Sequence, residues 1–141
     1  MKKSLLFLIL FIIFLTAIAA AVGCKSGSTT PKTISAADQA ILTYADPATD
    51  MTLQGLSEND LAKYTHYASA EFKAALTQEI LDKTSSQLKN QIGTYISKEF
   101  LSTEQQDVYT IVHYKAKYTK SSVGIKMVFD QNHQVAGQWF E

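Results

Sequence analysis

Three histidines, one glutamate beside an aromatic ring and a single cysteine are the residues of this chain whose types could do chemistry. Glu71 precedes Phe72, and His66 stands between Thr65 and Tyr67 on a short helical segment. A carboxyl buried at a helix–sheet junction acquires a raised pKa and can act as a base, with an imidazole as its acid/base partner. The pocket this suggests is lined by Tyr64, His66, Glu71, Tyr114 and Trp139. The spacing places no second group beside Glu71, however, and an acid on a helix surface is the plainer reading. His113 shares a strand face with Lys115 and Lys117 and reads as solvated, and His133 reads as a turn residue. No two histidines have i, i+4 spacing and there is no second thiol, so no metal site is expected. Nor is there a Gly-x-Ser-x-Gly nucleophile elbow. The expected catalytic, metal and cofactor sets are therefore empty.

The aromatic residues Tyr64, Tyr67, Tyr109, Tyr114, Tyr118, Phe129, Trp139 and Phe140 read first as core and cross-strand pairs of a small sheet. Their functional reading is a cleft for an apolar or sugar-like ligand. Lys115, Lys117, Lys120 and Lys126 make a modest basic edge, which could lean toward anionic lipid head groups, although the plainer reading is that outer-strand lysines guard a sheet against aggregation.

Cys24 is the only cysteine. Lys2 and Lys3 precede an apolar run over residues 5–22, and small residues lead up to the thiol, which is the pattern of an export signal. Ala21-Val22-Gly23-Cys24 resembles the lipobox of prokaryotic lipoproteins, although most lipoboxes carry Leu where this chain has Ala21. The resemblance implies a diacylglyceryl group on Cys24 and cleavage just before it. Two acyl chains suffice for lasting attachment where one does not. The competing readings are an uncleaved N-terminal helix, which at this length is near the lower limit for spanning a bilayer, and a freely secreted protein. The first two put the remaining chain on the outer side of the cell membrane. The expected organisation is thus a signal over residues 1–23, a lipidated Cys24 with a flexible linker over 24–34, and one domain over 35–141.

All thirteen basic residues other than histidine are lysine, balanced by thirteen acids. Arginine is the usual bidentate reader of phosphate and guanine, so its absence together with net neutrality argues against a nucleic-acid partner. The domain, roughly 105 residues, is long enough for one core.

Local signals then order the elements. Ser35 with Asp38 opens a helix, carried by Ala37, Ala40, Ile41 and Tyr44. Asp46-Pro47 is expected to interrupt it and Gly55 to break it again. A second cap lies in Ser57-Glu58-Asn59-Asp60, followed by Leu61, Tyr64 and Tyr67, with Phe72 and Leu76 as core anchors. Thr77 caps the clearest helix, whose stripe is Ile80, Leu81, Thr84, Leu88 and Ile92, with Gly93 as a left-handed cap. The period then falls to two, giving strands over 95–101, 108–118, 122–130 and 135–140, with a positive φ expected at Asn132 or His133. Helices followed by hairpin-linked strands define an α+β domain with a four-stranded antiparallel sheet.

Phe72-Lys73-Ala74-Ala75-Leu76-Thr77, Leu81, Leu88, Gly93, the strand from Tyr109 to Tyr118, Val128-Phe129-Asp130, Val135-Ala136-Gly137 and Phe140 resemble an exported prokaryotic family known as domain of unknown function 3887. That family is similar to the cystatin-like cone of nuclear transport factor two, in which helices pack on a curved sheet. One departure is Asn132-His133 where the family usually has a glycine. The resemblance implies a fold and no reaction. The reading that follows is a non-catalytic module binding a small ligand or an envelope protein. A small acid/base enzyme built on Glu71 and His66, and a purely structural envelope component, are the alternatives.

Overall fold

The computed structural model describes residues 33–141; the export signal and Cys24 lie outside the described residues. Helix α1 (Ala36–Glu58) is followed by the short helices α2 (Leu61–Tyr64) and α3 (Ala70–Ala74), then α4 (Gln78–Gln91) and strands β1 (Tyr95–Gln106), β2 (Tyr109–Tyr118), β3 (Ser122–Phe129) and β4 (Val135–Phe140). The strands form one antiparallel sheet in the order β1-β2-β3-β4. This is the α+β architecture expected from the sequence.

Side-chain oxygens cap each of the four helices among the described residues. Ser35 accepts from the Asp38 N–H, Asp60 from Lys63, Ser69 from Phe72 and Thr77 from Ile80. Each relieves a backbone donor that has no partner inside its helix. The expected interruption at Asp46-Pro47 does not occur. Pro47 lies inside α1 with its ring exposed, while Ala45, Ala48, Thr49, Thr52, Leu53 and Leu56 are buried around it. An interior proline costs about 3 kcal/mol, and burying Leu53 and Leu56 alone returns about that much. Packing against the sheet therefore outweighs the local rule. Gly55 does not break the helix either. It stands in the last turns of α1 because the backbone of Tyr64 passes directly over it.

The helix-facing side of the sheet supplies Val112, Tyr114, Ala116, Tyr118, Ile125, Met127, Phe129 and Val135, which pack with Leu42, Ala45, Ala48 and Leu53 of α1. A second cluster joins Leu56, Tyr64 and Leu81, with Leu61, Leu76 and Leu88 against it. In α4 only Leu81 and Ser85 are buried. Ile80, expected in the stripe, is exposed, because α4 rests on the domain along a narrow line.

β1 is five residues longer than its expected end at Leu101, running to Gln106 through irregularities at Ile96 and Leu101. Such bulges insert an unpaired residue, bend the strand and shift its facing. Asp107 (φ 54°) turns the β1–β2 hairpin, and His133 (φ 59°), not Asn132, takes the left-handed position in the β3–β4 turn. There the His133 imidazole stacks on Tyr44 at 4.0 Å. Gly93 is left-handed as expected (φ 94°).

Candidate functional site

The two faces of the sheet carry different arrangements. On the helix side, Asp46 and Asp50 project from successive turns of α1 toward β1 and β2. Lys98 of β1 lies between them, 3.3 Å from Asp46 and 2.9 Å from Asp50, with its side chain 8% exposed. The Tyr95 hydroxyl donates to Asp50 at 2.6 Å and the Tyr114 hydroxyl to Asp46 at 3.0 Å. The Lys98 ammonium also sits 5.1 Å from the centre of the Tyr114 ring.

A buried cation requires such partners, and this set provides two carboxylates, two phenols and an aromatic face. Burial, then the hydrogen bond to Asp50, raises the Tyr95 hydroxyl pKa. Burial, then the charge of Asp46, does the same for Tyr114. Neither phenol is poised to give up its proton at neutral pH. The charges engage one another, so the arrangement clasps α1 to the sheet.

On the opposite, open face, Trp139 of β4 is 49% exposed. The far edge of its indole lies over Gly137, where an added β-carbon would come within 2.2 Å of the ring. From the adjacent position on β3, the Lys126 ammonium stands 5.0 Å from the indole centre. The ring is thereby held flat on a rigid strand. The neighbouring register positions on this face are Ile111 and Val128 beside Gly137, with His113 beyond Lys126. The His113 imidazole faces Glu141 through Nδ1 at 3.4 Å and Glu104 through Nε2 at 3.6 Å. A half-exposed indole with the half-buried Val128 nearby, Ile111 itself being buried, and a rim of charges of both signs have the anatomy of a protein-binding surface.

The expected pocket residues are not gathered in one place. Tyr64 is buried in the smaller cluster, where desolvation pushes its pKa up to about 12. Tyr114 is buried under α1 in the main core. His66 and Glu71 are both exposed, the imidazole meeting the edge of Tyr67. No hydrogen bond or ion pair joins them among the described residues, so the acid/base reading has no convergent pair there. Trp139 lies on the other side of the sheet altogether.

Sequence reasoning missed the clasp. Two acids at i, i+4 on a helix were a usable signal. Lys98, though, faces inward only because the bulge at Ile96 resets the alternation of β1. Among the described residues no group of three histidines, cysteines or acids could hold a metal.

One long helix clasped across a four-stranded antiparallel sheet, with short helices closing one end, defines a small α+β domain whose open sheet face is its free surface. The chain belongs to the family described as protein of unknown function (DUF3887), which matches residues 50–137. No curated protein matches it. An NMR structure of a protein from Ruminococcus gnavus ATCC 29149 is similar at 15% identity and a TM-score of 0.50, covering 78% of this chain and 94% of that one. That likeness is one of fold alone. A crystal structure of an NTF-2-like protein of unknown function from Burkholderia xenovorans LB400 is similar at 12% identity over 70% of this chain and 84% of that one, with a TM-score of 0.39. That degree of likeness transfers nothing to this chain.

Proposed function

We propose that this protein is a non-catalytic binding module, held on the outer side of the cell membrane through Cys24, that engages an envelope protein with the open face of its sheet. The observation that carries the binding part is Trp139, half exposed yet fixed between Gly137 and Lys126. A large ring immobilised before contact loses little rotamer freedom on binding, which is why such residues dominate interface energies. Attachment is supported by the basic start, the apolar run and the small residues before the one thiol.

Photocrosslinking from Glu104→p-benzoylphenylalanine, at the rim of this face, is expected to give a discrete protein adduct in intact cells, and Trp139→Ala to abolish it while the domain stays folded. An adduct indifferent to Trp139 would sink the binding surface, and none at all would favour a purely structural component. Cys24→Ala is expected to eliminate incorporation of radiolabelled palmitate. Undiminished labelling would remove the lipid from the proposal.

A further inference from the structure

The β1–β2 hairpin tip carries two adjacent exposed apolar side chains, Val108 at 52% and Tyr109 at 41%. The packing of α1 shows which end of the domain this is. The Thr103 hydroxyl of β1 donates to Asp38 in the first turn of α1, whereas Asp50, three turns later, meets Tyr95 at the start of β1. Helix α1 therefore begins toward the hairpin tip and runs away from it. From Thr103 the strand continues about 10 Å to Gln106, where Asp107 and Val108 make the turn, while from Asp38 the chain runs back about 3 Å along the helix to Ala36 and then through the extended Ser35 to Ile34. The tip and the point where the chain enters the domain therefore lie at the same end, where Ile34 is itself 40% exposed.

We infer that Val108 and Tyr109 rest in the lipid surface to which the domain is tethered. The inference depends on the membrane attachment proposed above. The chain between Cys24 and Thr33 is rich in Ser, Thr and Gly, a composition for which that length corresponds to a reach of roughly 17 Å. Its far end enters the domain at the end bearing the tip, so this end faces the bilayer. Two side chains would not hold a free protein on a membrane. A short tether supplies an effective concentration on the order of millimolar, which makes such a contact matter. Tyrosine suits the headgroup layer, with an apolar body and a polar hydroxyl. The charges nearby are acidic, Asp107 in the turn itself and Asp130 in the adjoining β3–β4 turn.

The full-length chain carrying Tyr109→p-benzoylphenylalanine, expressed in cells and recovered with the membrane fraction, tests this by ultraviolet irradiation and mass spectrometry for phospholipid adducts. The control is the same replacement at Ile96, equally exposed (52%) at the opposite end of β1. Adducts are expected at position 109 and not at 96, and adding Val108→Asp is expected to remove them. Membrane-bound chain with no adduct at 109, or equal adducts at both positions, overturns the lipid contact. A chain recovered in the soluble fraction overturns the attachment itself, and with it this contact.

Discussion

The domain of residues 33–141 is expected to unfold cooperatively above about pH 11, before its buried tyrosines titrate one by one. Tyr64, Tyr114 and Tyr118 are buried, and desolvation raises all three pKa values above the usual 10, that of Tyr64 to about 12. The sign follows from proton counting. Above pH 10 the unfolded chain releases protons that the folded one keeps, so stability falls as pH rises. Each retained proton is worth about 1.4 kcal/mol per pH unit, hence about 4 kcal/mol per unit for three. Below pH 10 the three contribute no slope. A domain with the ordinary stability of roughly 5–15 kcal/mol is exhausted within about one to four units.

The share of tyrosinate absorbance that comes from the buried tyrosines should therefore appear together with the loss of far-ultraviolet circular dichroism in a pH titration. Absorbance that climbs to completion while the helical signal persists would contradict the burial described above. Tyr118→Phe offers an internal control. The Tyr118 hydroxyl is buried and has no hydrogen-bond partner, so its removal relieves an unsatisfied group worth about 1 kcal/mol or more. It also deletes one of the three linked protons. The variant is expected to be more stable at neutral pH and to unfold at a higher pH than the parent.

These effects belong to parts of the molecule that differ in how openly the sequence announces them. Helix caps at Ser35, Asp60 and Thr77, the turn at His133 and the alternation of β2 rest on neighbours a few residues apart, and they are where the sequence points. Pro47 misleads because a local steric cost was weighed without the sheet that α1 packs against. Ile80 misleads because helical periodicity marks a stripe without saying how wide its partner is. The clasp of Asp46, Asp50 and Lys98 joins residues about fifty positions apart. It depends on a bulge whose place no local signal fixes. The proposed pocket failed for a related reason. Tyr64, Tyr114 and Trp139 are all aromatic, but alternation along each strand sends Tyr114 to the helices and Trp139 to the open face, and only pairing register reveals which is which.

Gly55→Ala is expected to be the most damaging single-methyl change in the domain. Taken alone, alanine in a helix is favoured over glycine by about 1 kcal/mol, and Gly55 has no left-handed conformation that would oppose it. Local propensity thus predicts a gain. The added carbon, however, would stand 2.3 Å from the Tyr64 nitrogen, 2.7 Å from its α-carbon and 2.9 Å from the Lys63 carbonyl carbon. All three are backbone atoms, and α2 is held in place by its own contacts. Asp60 donates its N–H to the Gly55 carbonyl at 2.8 Å and caps α2 with its side chain, so the turn cannot open without losing both. Relief requires α2 to lift away, separating Tyr64 from Leu56 and Leu81. Overpacking against backbone of this kind costs about 3 kcal/mol or more, so the net change is a large loss, read as a lowered denaturant midpoint. Gly137→Ala makes the comparison informative. Its new carbon would come as close, 2.2 Å, but to the end of the Trp139 side chain, so that the half-exposed indole and not backbone would be driven from its place. That variant should keep most of its stability, alter its tryptophan emission and weaken partner capture. If Gly55→Ala proved neutral while Gly137→Ala unfolded the domain, the close seating of α2 on α1 would be wrong.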